Sequence, residues 1–438
     1  MRFTVKEPHI ELYKDGFKDK CELGRSITGE KLSGLVESIA DPMVIALDGA
    51  WGSGKSFFLK CWVGEHLNRA DNTTETIYFD AFKHDFLDDP LIALTGAIAA
   101  RFEKNEVAPK AVDTLKRIAP ALGRTLLRVG ISAATLGIVS HTDDLVNDMT
   151  KTLSGELADA VTDFWRQENS KLNAMEAFKE ALVEMTQPEE SGGAPRKLVI
   201  VIDELDRCRP DYALSLLETI KHFFSVDNVH FVLGVNLQEM ENSVRARYGE
   251  GVNAQKYLQK FYQIKMPLDI QVNRSGDSGK ILPYFWKFSA GNGFDLGLYA
   301  TPLATLVSIA ELSNNISLRD VHHLLVRANI TPSFNGSSDQ WPNAIAALIY
   351  FDVMMPELLR KIDTNTKLSP EIMKEVTKLF PRLGEDLGPI DHGNEMYNCI
   401  RWLCGQGKEN EVMKEQFKDI SAPTLIANYI RPIQLNFR

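Results

Sequence analysis

Gly49-Ala50-Trp51-Gly52-Ser53-Gly54-Lys55-Ser56 decides how the rest of this 438-residue chain is read. The eight residues fit G-x-x-x-x-G-K-[ST], in which glycines let the backbone wrap an anion, a lysine reaches its far end and a hydroxyl meets a divalent cation. The pattern carries weight only between a strand and a helix. Upstream, Met43-Val44-Ile45-Ala46-Leu47 reads as a short buried strand, and downstream Phe57-Phe58-Leu59-Lys60-Cys61-Trp62-Val63 opens a helix. Such a junction aims backbone N–H groups and a helix N-terminus at one point, which attracts a polyphosphate. The expectation is a nucleoside triphosphate cradled by Gly49, Ala50, Trp51, Gly52, Ser53, Gly54, Lys55, Ser56 and Phe57. Lys55 would reach the β- and γ-phosphates, and the Ser56 hydroxyl would ligate Mg2+.

A second stretch completes the chemistry. Leu198-Val199-Ile200-Val201-Ile202 is apolar throughout, as suits a central parallel strand covered on both faces, and it ends in Asp203-Glu204. Asp203 at the strand tip would hold the Mg2+. Glu204 beside it would orient and deprotonate an attacking water, which favours hydrolysis over transfer to an acceptor. The plainer alternative is an acidic cap after a buried strand. No guanine-specific N-K-x-D run is present, so ATP is the default nucleotide.

The residues after Glu204 read Leu205-Asp206-Arg207-Cys208-Arg209-Pro210. With the tryptophan inside the phosphate loop, this resembles the two nucleotide motifs of the KAP P-loop NTPases. Leu23-Gly24-Arg25 resembles the family's opening segment. Tyr78-Phe79-Asp80-Ala81-Phe82 resembles its aromatic strand, with Phe82 where tryptophan is usual. Tyr257-Leu258-Gln259-Lys260-Phe261 followed by Pro267 resembles the block that closes its core. The resemblance covers roughly residues 20 to 330. It implies an α/β P-loop NTPase of the additional-strand class, with a central parallel sheet flanked by helices, related to STAND and AAA-like regulators. Members act as switches or assembly engines, and several bacterial ones serve in defence against phage. A homo-oligomer and a separate protein effector encoded nearby are expected on the same ground.

Between Lys55 and Asp203 lie 147 residues, more than a compact nucleotide core needs. We divide the chain into a core at 1–107 and 191–272, a helical insertion at 108–190 and a C-terminal helical domain at 273–438. In the core, Thr76–Asp80 and Val229–Val235 read as strands, with helices over Pro90–Phe102 and Tyr212–Phe224. In the insertion, Leu153, Leu157, Val161 and Phe164, then Met175, Phe178, Leu182 and Met185, recur at helical spacing. Residues 143–190 hold twelve acids and four bases, a solvated face or a dock for a basic partner. Ile118–Val139 is mostly apolar, yet Arg124 and Arg128 interrupt it, and its longest clean run falls short of the roughly 20 residues a spanning helix needs. A buried helix pair is preferred there to membrane contact. Ser191–Pro195 closes the insertion with a turn. Leu303–Leu312, Leu318–Ala328 and Ala344–Leu359 read as helices of the last domain, with a loop at Asn335–Ser338.

Bulk properties narrow the function further. A net charge of −10 argues against bulk electrostatic binding to nucleic acid. Cys21, Cys61, Cys208, Cys399 and Cys404 are scattered and read as free thiols, and the first residues lack the apolar run of a secretory signal. The expected address is cytoplasmic.

Several residues would support the site. Asn236, at the tip of the strand after Asp203, would bond the attacking water and γ-phosphate, or else cap the following helix. Arg319, in Ser317-Leu318-Arg319-Asp320-Val321-His322-His323, resembles the family's arginine at a helix start, which reports nucleotide state; a surface ion pair is the alternative. Arg207, Arg209, Arg245 and Arg247 are candidates for the transition-state arginine, with Arg207 favoured as family-typical or else paired with Asp203 or Asp206. Trp51 packs under the loop or faces the base, the former being the simpler expectation. Arg25 and residues 26–32 would line the adenine and ribose pocket by analogy. His322 and His323 lack partners at metal-ligand spacing. Together these point to a Mg2+-dependent ATPase acting as a switch, the alternative being a nucleotide-gated oligomeric scaffold with little turnover.

Overall fold

A computed structural model describes residues 9–105, 108–122, 172–188, 195–268, 280–334, 341–364, 392–405 and 417–431, apart from isolated positions in those ranges, and short pieces between 368 and 378. Its centre is a parallel sheet of five strands: β1 (Met43–Asp48), β2 (Thr74–Asp80), β3 (Lys197–Asp203), β4 (Val229–Val235) and β5 (Ile264–Pro267). They lie in the order β2-β3-β4-β1-β5. The strand that carries the phosphate loop is thus separated from the strand that ends in Asp203 by β4. That inserted strand is what distinguishes the additional-strand class, and the sequence expectation of it is met.

The apolar runs are continuous because both sheet faces are covered. Successive side chains alternate, so Ile45, Leu47, Val199, Val201 and Val232 pack on one side with Leu32 and Val36 of α1 (Ser26–Ser38) and Phe58, Leu59, Trp62 and Val63 of α2 (Lys55–Leu67). Val44, Ala46, Ile200, Ile202, Phe231 and Leu233 face the other side. There they meet α3 (Pro90–Asn105), α4 (Pro109–Leu122), α5 (residues 172–185), α6 (Pro210–Ile220) and α7 (Leu237–Tyr248).

Helices α4 and α5 sit at the two ends of the insertion expected from sequence. Ala111, Val112 and Leu115 of the first, and Phe178, Leu182 and Met185 of the second, are buried in the same core as the sheet. The remaining insertion expectations, including the apolar stretch beyond residue 122, the helix through Leu153 to Phe164 and most of the Ser191–Pro195 turn, lie outside the described residues, as does the Asn335–Ser338 loop. Among the described residues no helix is long and apolar enough to cross a membrane.

After α8 (Ala254–Leu258) and β5 the described chain is helical: α9 (Ile281–Asn292), α10 (Ala300–Leu312), α11 (Leu318–Phe334), α12 (Pro342–Met354), α13 (Pro356–Asp363), α14 (His392–Leu403) and α15 (Ala422–Leu425). Buried α12 residues Ala344–Phe351 form the hub of a second core shared with Leu303, Leu306, Leu324, Leu325 and Ile400. The single helix expected over Ala344–Leu359 is instead two. Pro356 cannot donate an amide, and it pushes Met355 to φ −140° and ψ 58°, so the helix stops and restarts. The buried Glu311 accepts from the Ile281 and Leu282 amides at 2.7 and 3.2 Å, and so satisfies the first turn of α9.

Candidate functional site

The site forms at the ends of β1 and β3, which flank β4. Asp48, the last residue of β1, accepts from the Leu237 amide at 2.9 Å and pairs with Lys265 at 2.8 Å, which ties the loop's root to α7 and β5. The chain then turns through Gly49–Gly54 into α2. Gly52 and Gly54 adopt φ of 77° and 84°, a region that side-chain-bearing residues enter only with strain. Lys55 is buried, and its Nζ donates to the Gly49 carbonyl at 2.6 Å and the Ala50 carbonyl at 3.4 Å. It also lies 3.7 Å from Asp206 Oδ2. Burial lowers the Lys55 pKa, opposed by the Asp206 and Asp203 carboxylates.

Across the sheet, Asp203 is fully buried, and Tyr78 on the neighbouring β2 donates its hydroxyl to Asp203 Oδ2 at 2.6 Å. Burial raises the Asp203 pKa to about 6, while Tyr78 and Ser56 act to lower it. The same contact and burial push the Tyr78 hydroxyl far above its usual range. Glu204 follows with φ 60°, a left-handed conformation for a residue that is not glycine, worth about 1 to 2 kcal/mol of strain. This turn carries the carboxylate over the start of α2. There Ser56 Oγ donates to Glu204 Oε1 at 3.0 Å, and Arg207 Nη1 pairs with the same oxygen at 3.0 Å. Lys55, Ser56, Asp203 and Glu204, separated by 147 positions between Lys55 and Asp203, therefore meet.

The donors suit a hard divalent cation. A serine hydroxyl and a buried aspartate offer oxygen ligands only, and the aspartate's burial leaves a charge that a cation would compensate. Among the described residues no cluster of three His, Cys, Asp or Glu forms a metal site of its own, so such an ion would need phosphate oxygens or water as further ligands.

Arg25 is buried and donates Nη1 to the Ser53 carbonyl at 2.6 Å, so it is tied to the loop backbone. Phe57 is half-buried in α2 and packs into the core on that face. Ser53 is buried and donates its amide to the Ala50 carbonyl at 3.2 Å. Trp51 does not pack beneath the loop. It is 45% exposed, and its Nε1 donates to Asp206 Oδ2 at 2.6 Å, because a buried carboxylate beside the loop draws the indole N–H towards it. Asn236 accepts from the Gln238 amide at 3.2 Å and caps α7. Arg207 pairs with Glu204 rather than with Asp203 or Asp206. Arg209 is turned away, donating to the Asp85 carbonyl at 2.6 Å, and Arg245 pairs with Glu241 at 2.9 Å. Arg319 lies at the start of α11, directly against the loop: a Cβ on Gly52 would stand 2.9 Å from the Arg319 Cβ and 2.6 Å from Ser317 Oγ. Ser317 and Asp320 cap that helix reciprocally, at 2.7 to 3.3 Å. The helical domain thus rests on the phosphate loop.

Lys55, Ser56, Asp203, Glu204, Asn236 and Arg319 all fall within residues 29–326, which match the family model described as the KAP family P-loop domain. The chain belongs to the KAP family of P-loop NTPases. No curated protein matches it. Among solved structures it is similar to the Aeropyrum pernix ORC2 protein in its ADPNP-ADP complexes, at 12% identity and a TM-score of 0.35, over 89% of this chain and 90% of that one.

Two residues of this KAP site escape sequence reasoning. Tyr78 lies in a segment recognised only as an aromatic strand, and its hydrogen bond depends on β2 pairing with β3 in the register Asp80 to Asp203. Gly234 lies in β4 with no motif around it. A Cβ there would stand 2.5 Å from Asp203 Oδ1 and 2.5 Å from Leu59, so the glycine makes the room Asp203 occupies.

Proposed function

We propose that this KAP protein is a Mg2+-dependent ATPase whose nucleotide state is passed to its helical parts. The observation that carries the reading is the meeting of Ser56 with Glu204 at 3.0 Å, beside buried Asp203 and Lys55. The loop amides and the start of α2 would grip the β- and γ-phosphates, and Lys55 would neutralise them. Ser56 and Asp203 would hold Mg2+, with Tyr78 fixing the aspartate's orientation from behind. The bound ion would supply charge neutralisation on the phosphate oxygens. Glu204 would orient a water in line with the γ-phosphate and take its proton. Arg207 holds the Glu204 carboxylate in place, and Asn236, directly after β4 between β1 and β3, would bond the same water. Arg319, on the helix seated against Gly52, is the route by which phosphate occupancy reaches the C-terminal domain. We keep the division at 108–190 and 273–438, with the insertion rooted in the core by α4 and α5. The family resemblance carries the finer reading: assembly of copies, and a separate effector in defence against phage.

Phosphate release tests the chemistry and separates it from a nucleotide-gated scaffold. Glu204→Gln should bind Mg·ATP yet turn it over at least about a hundredfold more slowly. Lys55→Ala should lose binding. A Glu204→Gln protein as fast as wild type overturns the assignment of the base, and a wild type that binds without turnover leaves the scaffold in its place.

A further inference from the structure

Asp206 takes no part in the chemistry above, yet it is the best buried carboxylate near the loop to explain. Its side chain is 1% exposed. Oδ2 accepts from Trp51 Nε1 at 2.6 Å and lies 3.7 Å from Lys55 Nζ, while Oδ1 is buried with no hydrogen-bond partner among the described residues. A buried charge so thinly supplied with donors is costly unless an opposite charge compensates it. Here that charge is the Lys55 ammonium, which a triphosphate needs as well. Asp206 also belongs to the short 3-10 turn Leu205–Arg207 whose last residue holds Glu204 at 3.0 Å. One carboxylate therefore touches two residues of the phosphate loop and shares a turn with the partner of the catalytic glutamate.

We propose that Asp206 is a positioning residue that competes with phosphate for Lys55 and reports the outcome to the Glu204–Arg207 pair. When a phosphate takes the ammonium, Asp206 keeps only the Trp51 N–H, and its contact with the loop loosens. The Leu205–Arg207 turn is then freed to carry Glu204 towards the γ-phosphate. No bond is made or broken; one ammonium changes anionic partners. The inference rests on the triphosphate reading, and it adds a function for the tryptophan and the second aspartate of these motifs.

Asp206→Asn keeps the shape and an acceptor for Trp51 while removing the charge. Equilibrium binding of Mg·ATP, measured beside kcat, should show Kd falling about tenfold and kcat falling by a similar factor, an opposed split that a merely structural aspartate would not give. Asp206→Ser should shift Kd in the same direction, so a folding defect peculiar to the asparagine does not decide the matter. Trp51→Phe leaves the carboxylate to the ammonium alone and should weaken binding about threefold, an effect that should vanish in the Asp206→Asn background because the two residues act through one atom. Unchanged or weaker binding in both Asp206 variants overturns the proposal, as does a Trp51→Phe effect that persists in the double variant. A wild-type protein that binds no Mg·ATP strikes the triphosphate reading instead, which keeps the two failures apart.

Discussion

At the scale of single residues, the site is governed by how a buried carboxylate is tolerated. Asp203 is fully buried at the sheet tip, with its pKa raised to about 6, and three features of the fold serve it: the Tyr78 hydroxyl, the Ser56 hydroxyl and the space left by Gly234. Gly234→Ala should drive the aspartate from its position, since the added Cβ would meet both Asp203 Oδ1 and Leu59 at 2.5 Å. The expected result is a loss of about 1 to 3 kcal/mol in stability, read by denaturant unfolding, together with a raised Mg2+ requirement for turnover. The meeting of Lys55, Ser56, Asp203 and Glu204 was legible in the sequence because their places follow from local order: a loop, a helix start and a strand end. Tyr78, Gly234 and the Trp51–Asp206 contact were not, because each depends on which strand or turn lies alongside. Asn236 shows the limit from the other side. Its position at a strand tip is plain from sequence, and of the two roles read there the helix cap is the one the structure shows.

At the scale of elements, length and burial decided what could be read. β1, β3 and β4 are apolar on both faces, and they were visible as unbroken runs. β5 was missed: it is four residues long, lies at the sheet edge and exposes Lys265 and Pro267. The helix through Met175 to Met185 followed from its three-four spacing, whereas the break at Pro356 was overlooked because the apolar spacing runs on across it. β4 carries one buried histidine whose energetics belong to the strand. His230 is held near pKa 4 by burial and by the Lys197 ammonium, well below the ordinary 6.5. Since the native ring stays neutral, the unfolded chain binds the proton first as pH falls. This contribution is therefore intact above pH 6.5 and is lost progressively down to about 4. His230→Leu should flatten that loss, so that relative to wild type the variant gains about 2 kcal/mol in unfolding free energy between pH 7 and pH 4.5. A difference that does not change with pH would show that the ring is not kept neutral.

At the scale of the whole molecule, two cores are joined at the Gly49–Ser56 loop. The sheet core and the helical core centred on α12 are separate clusters, and α11 brings the second onto the first at Gly52 and Gly54, where Ser317, Leu318 and Arg319 stand within 2.6 to 3.6 Å of an added Cβ. A change of occupancy at the loop is thus a change beneath the first turn of a helix that spans the second core. That helices follow the sheet was legible from spacing, and the resemblance around Arg319 pointed that segment towards the nucleotide site; the close approach of Ser317 and Arg319 to Gly52 was not legible, since it depends on how α11 packs. The proposed function is turnover of a nucleotide held at this loop. The rate of phosphate release from saturating Mg·ATP, compared between wild type and Glu204→Gln, tests it most directly. We expect steady release from wild type and a rate lower by at least about a hundredfold in the variant, with nucleotide still bound. Equal rates in the two proteins would contradict the account.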